Sequence, residues 1–123
     1  MTQNTIQING VEYVRKDTIK PEVAKVEGTP VGQYCIIRCR DAGVWAGVVV
    51  KHNGQSVMLA VARRLWSWTA AKGHTLSAVA NYGIKDGKLP APVDEVYLTE
   101  ACELIPMTKV AEESIISWKA HNE

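Results

Sequence analysis

Two apolar runs, VWAGVVVKH and SVMLAVARRLWSW, flank Asn53 and Gly54, and no other feature restricts the fold as much. An Asn-Gly pair accepts the positive φ angles of a tight hairpin turn and joins strands whose side chains alternate between two faces. With QYCIIRCR upstream, the segment from Gln33 to Trp68 reads as an antiparallel β-meander. Period-2 geometry puts Cys35, Ile37 and Cys39 on one face of the first strand and Tyr34, Ile36, Arg38 and Arg40 on the other.

The flanks add a second hairpin and two helices. TIQINGVEYVRKD alternates around Asn9 and Gly10, which predicts strands near 5–8 and 11–15. KPEVAKVEGTPVG, with two prolines and two glycines, reads as a linker from an N-terminal hairpin arm, residues 1–20, to a single domain, residues 33–123. Downstream, Thr75 is placed to cap a short helix with Leu76, Val79 and Ala80 on its apolar stripe and Gly83 at its end. KDGKLPAPVD reads as a loop and VYLTEACELIP as one further strand. Thr108 then caps a helix over KVAEESIISWKA, with Ala111, Ile115 and Trp118 on one side. The expected fold is α+β: an antiparallel β-meander sheet with the hairpin arm and two short helices.

Composition narrows the function. No run of about 18 apolar residues could cross a bilayer, and the first residues lack a basic segment followed by an apolar one, so a cytoplasmic protein without a membrane partner is expected. A formal charge of +1 argues against wrapping duplex nucleic acid and for a small, locally bound anion. Three cysteines without CxxC spacing and three scattered histidines suggest reduced thiols and no metal site. None of the GxSxG, HExxH, P-loop or GxGxxG patterns occurs, and no histidine has a visible orienting partner. A chain that is not an enzyme and needs no cofactor is expected.

Binding chemistry concentrates in residues 62–68, ARRLWSW. If the third strand stays extended, Arg64, Trp66 and Trp68 share one face and Arg63, Leu65 and Ser67 the other; one bulge would exchange the two arginines. Arginine forks grip phosphate and indole faces stack bases, so a nucleotide would use both. The plainer alternative has Trp66 and Trp68 filling the core while Arg63 and Arg64 pair with Asp41 or Glu95. In RCRDAGVWAG, residues 38–47, Asp41, Ala42 and Gly43 form a tight connection, and Trp45 either faces a planar ligand or packs across its neighbour.

IIRCRDAGVWAG followed by VARRLWSW, after an INGVEYV hairpin, resembles a family of small phage and prophage proteins of unknown function, over nearly the whole chain from Ile8 to about Ile116. The matching positions are Arg38, Ala42, Gly43, Val44, Ala46 and Gly47, then Ala62, Arg63, Arg64, Leu65, Trp66 and Trp68. Through these motifs the chain also resembles the first type of Thoeris anti-defence proteins, sponges for cyclic ADP-ribose isomers, some of which also hold the cyclic oligonucleotides of CBASS immunity. The resemblance implies a homo-oligomer that holds a cyclic nucleotide signal, uncleaved, between protomers in the infected bacterial host cell. Ligand contacts are then expected from Arg38, Arg40, Ala42, Gly43, Trp45, Arg63, Arg64, Trp66 and Trp68. Two other readings stand beside it: a phage structural or protein-interaction module without a nucleotide, and a single-strand nucleic-acid binder of barrel-like fold.

Overall fold

The computed structural model describes Ala24 and residues 28–121. The expected hairpin strands and the arm over residues 1–20 lie outside the described residues. The meander begins as read, with β1 (Tyr34–Cys39), β2 (Val44–Asn53) and β3 (Ser56–Arg64). Gly54, at φ +61°, turns β2 into β3. Later in the chain, β6 (Val93–Leu98) adds to the free side of β3 and β7 (Ala101–Pro106) to that of β1, giving an antiparallel sheet ordered β6-β3-β2-β1-β7.

That order forces the sheet to roll. Its two outer strands, β6 and β7, are consecutive and joined only by Thr99 and Glu100, a link that reaches roughly 11 Å. In a flat sheet the outer two of five strands would stand about 19 Å apart. The sheet therefore curls until its edges meet at this turn, where Ala101 N–H also donates to the Gln55 carbonyl at 3.0 Å. Cys35, Ile37, Val49, Val57, Leu59 and Leu98 fill the inside of the roll. On the outside, Tyr34, Ile36, Ala46 and Val48 pack beneath α1 (Leu76–Tyr82), α2 (Lys109–Ile116) and a two-stranded sheet of β4 (Ser67–Ala70) and β5 (Ile84–Lys88). Each fully buried aliphatic side chain contributes roughly 1.5–3 kcal/mol, so both faces of the sheet stabilise the domain.

Both helix starts are capped as expected: Thr75 accepts from Ala78 N–H and Thr108 from Ala111 N–H. Three expectations are corrected. The third strand does not run on to Trp68; it leaves the sheet after Arg64, because Leu65 turns into the helix-side core while its N–H bonds the Val44 carbonyl at 2.9 Å. The segment read as a loop opens with β5, whose pairing to β4 is carried by main-chain bonds that need no apolar alternation. VYLTEACELIP is two strands, split at the polar turn of Thr99 and Glu100. No helix among the described residues is long and apolar enough to cross a membrane.

A bulge in β3 sets the direction of everything after it. Ala46 pairs with Arg63 and Val48 with Ala60, so Gly47 faces both Val61 and Ala62. Val61 takes φ +50°, and a Cβ on Gly47 would lie 3.0 Å from the Ala60 carbonyl oxygen. Glycine is what allows the two backbones to close here. Beyond the bulge the alternation is reversed: Ala62 lies with the inner cluster and Leu65 with the outer one.

Gly83→Ala should destabilise the domain by about 2–3 kcal/mol in urea unfolding, because φ is +86° and the new Cβ would lie 2.9 Å from Ser114 Cβ and closer still to its Oγ. A loss under about 0.5 kcal/mol would show that α2 does not pack there as described. Burial pushes the Cys35 thiol from its usual 9.0 up to about 11. Between those values the unfolded chain releases a proton that the native chain keeps, so stability falls as pH rises through that window. Urea midpoints from pH 8 to 11 should fall less steeply for Cys35→Ala than for the parent; parallel curves would refute the assignment.

Candidate functional site

The bulge sends Arg63 to the helix side of the sheet, where it is 3 % exposed. Its Nε–H donates to the Pro90 carbonyl at 3.2 Å, Nη1 to Ile115 and Trp118 at 2.8 and 2.6 Å, and Nη2 to Leu89 and Pro90 at 3.1 Å each. A guanidinium has five N–H donors, and all five are engaged on main-chain carbonyls. The expected ligand contact from Arg63 is thus corrected: no donor is left for a phosphate. Burial pulls its pKa below the usual arginine value. Beside it, burial raises the Tyr34 pKa against the opposing pull of Arg63.

Arg64 faces the other way. It pairs across the ladder with Trp45, and its guanidinium carbon sits 5.1 Å from the centre of that indole. Arg64 Nη2 and Trp45 Nε1 both donate to the Ala42 carbonyl, at 2.8 and 3.1 Å. The turn of Asp41, Ala42 and Gly43, with Gly43 at φ +87°, is therefore tied to the end of β3. Arg38, which alternates with Tyr34 and Ile36, and Arg40 are exposed and paired: Arg38 Nε to Glu103 at 2.8 Å, and Arg40 to Glu100 at 3.6 Å and Asp41 at 3.9 Å. The hydrogen bond to Glu103 raises the Arg38 pKa.

Two residues beyond Arg64, Trp66 is 63 % exposed. Lys88 Nζ lies 5.8 Å from the centre of its indole, and the His121 imidazole lies 6.1 Å from it, tilted by 48°. Trp66 N–H donates to the Lys88 carbonyl at 3.2 Å and His121 N–H to the Leu89 carbonyl at 2.9 Å, so the three residues are fixed through their backbones. Trp68, half-buried, packs against the outer core and is not on a face shared with Arg64 and Trp66. The expectation that Arg64, Trp66 and Trp68 align is corrected: the chain leaves one sheet at Leu65 and enters the other at Ser67.

Two lobes result, Arg64 on Trp45 above the Ala42 turn, and Trp66 with Lys88 and His121. The α-carbons of Arg64 and Trp66 are within about 7 Å of each other. Among the described residues neither Arg64 nor Lys88 has an ion-pair partner, so their charge faces outward. Lys88 and His121 had no signal of their own, one lying in an apparent loop and the other in the tail. The register of Ser67 with Lys88 brings Lys88 to Trp66, and the bond from His121 N–H to the Leu89 carbonyl brings His121. Among the described residues no three His, Cys, Asp or Glu side chains are placed to hold a metal ion. A hollow of about 220 Å³ beside Met58 and Tyr97, and another of about 370 Å³ at Pro30 and Leu104, include none of these site residues.

The described residues form a small rolled-sheet α+β protein that displays an exposed indole beside two cations, Arg64 and Lys88, with no ion-pair partner among those residues. Residues 32–115 match the family model described as a domain of unknown function (DUF6948), and the chain belongs to that family. No curated protein and no solved structure matches it.

The two adjacent arginines should separate cleanly on substitution. Arg63→Ala takes this donor from four carbonyls, of which Leu89 and Ile115 keep the N–H groups of His121 and Trp118. The loss at Pro90 and Trp118 should cost about 2 kcal/mol or more, since each buried unsatisfied group costs roughly 1–3 kcal/mol. Arg64→Ala, losing an exposed stack, should cost about 1 kcal/mol or less. Equal losses in denaturant unfolding would contradict the opposite orientations.

Proposed function

We propose that the chain is a non-catalytic binding protein that sequesters a small cyclic nucleotide signal, stacking a base on Trp66 and holding phosphate with Lys88 and Arg64. The observation that carries this reading is the exposed Trp66 indole with the Lys88 ammonium over its ring and the His121 imidazole 6.1 Å from it. An exposed indole face stacks any base, worth about 1–3 kcal/mol by alanine substitution. Lys88 adds a point charge, and Arg64, already held by Trp45 and the Ala42 carbonyl, loses little freedom when its outer edge meets an anion.

The resemblance of AGVWAG and ARRLWSW to the phage anti-defence sponges supports cyclic ADP-ribose isomers or cyclic oligonucleotides as the ligand class, and the infected bacterial cell as the setting. Sequestration requires affinity rather than turnover, and both lobes are open surfaces. A second copy laid across them would enclose the ligand, so the binding form is a homo-oligomer. Arg38 and Arg40 enter the site only by exchanging Glu103, Glu100 and Asp41 for phosphate.

A protein-interaction module is the second reading, favoured by exposed Tyr97 and Val93 on the edge strand β6 beside the hollow that Met58 helps to line. Titration calorimetry with cyclic ADP-ribose and cyclic di-AMP, followed by mass spectrometry of the released ligand, separates the two. Binding with the ligand recovered intact is expected, weakened roughly 5- to 150-fold by Trp66→Ala. A hydrolysed product would indicate an enzyme, and failure of both nucleotides to bind would favour the interaction module.

A further inference from the structure

Three stretches of chain that are distant in sequence meet at one guanidinium. Arg63 holds the carbonyls of Leu89 and Pro90, which directly follow Lys88, and those of Ile115 and Trp118, which lead into His121. The same stretches are also cross-tied to one another. Trp118 Nε1 donates to the Gly87 carbonyl at 3.2 Å, His121 N–H to the Leu89 carbonyl and Trp66 N–H to the Lys88 carbonyl. Ile115 lies in the last turn of α2, where its carbonyl, which also accepts from Trp118 N–H at 3.2 Å, stands at the helix end that favours a cation.

We infer that Arg63 is the positioning residue of the binding surface, fixing Lys88 and His121 beside Trp66 without touching ligand itself. Four carbonyls converging on one buried point are all reached at once by the planar fork of a guanidinium, which places two of its five donors on Pro90. Lysine, with three donors and no plane, cannot reach all four. The two arginines of ARRLWSW thus divide their work: Arg64 faces outward, and Arg63 builds the wall on which Lys88 and His121 stand. The functional weight of this inference rests on the binding reading above; the placement of Lys88 and His121 does not.

The test is read without ligand, so it stands whether or not any nucleotide binds. In the full chain carrying Arg63→Lys, the His121 ring resonances should move toward their positions in Trp66→Ala, as the indole's ring current is lost. Amide exchange at Trp66 and His121 should quicken at least tenfold while that of Ile36, Val48 and Leu59 changes less. A uniform change at all five amides would mean that Arg63 only adds global stability, and an unmoved His121 ring would overturn the inference outright. Should the variant not fold, the parent protein gives the same answer. The Arg63 guanidinium protons should then exchange through the same opening, with the same denaturant dependence, as the Trp66 and His121 amides, and separate openings would overturn it.

Discussion

Two residues facing one across a ladder, Val61 and Ala62 against Gly47, decide which way the adjacent arginines point. Up to Leu59, odd-numbered side chains of β3 enter the roll, and after the bulge it is Ala62 that does. The reversal drives Arg63 under α2, lifts Arg64 onto Trp45 and turns Leu65 into the outer core, ending the strand. Without the extra residue a different arginine would face the helices. The exposed indole of Trp66 is then a consequence of backbone geometry: with Leu65 anchored inward and Ser67 committed to β5, the residue between them faces outward.

The electrostatics divide along the same line. Among the described residues Arg63 donates to no carboxylate, and its charge is met by main-chain dipoles including those of a helix end. Removing a buried cation from water is costly, and the full set of five donors offsets that cost only while every carbonyl keeps its place. The network is therefore intolerant of loosening, which suits it to holding two surface side chains in register. Arg38 and Arg40, in contrast, sit in exposed ion pairs that solvent screens and an incoming anion can open.

Much of the framework was legible because it rests on local signals. The turn at Gly54, the caps at Thr75 and Thr108, the stop at Gly83 and the alternation of residues 34–39 each arise from neighbours a few positions apart. The break after Arg64 was not legible, since it depends on a bulge whose cause, the close approach of Gly47, lies on another strand. β5 was hidden for a related reason: Lys85, Asp86 and Gly87 carry no alternation, and only backbone pairing with β4 makes them a strand. Lys88 and His121 became site candidates through that pairing and through the carbonyl cluster around Arg63, which no single-sequence pattern encodes.

The central claim is that one arginine of the pair is sealed and its neighbour open, and chemical footprinting reads this directly. Native protein treated briefly with phenylglyoxal and mapped by tandem mass spectrometry should carry adducts at Arg64, Arg38 and Arg40 and none at Arg63, which should react only after denaturation. Modification of Arg63 as fast as Arg64 in the folded protein would contradict the bulge, the latch and the surface built on them.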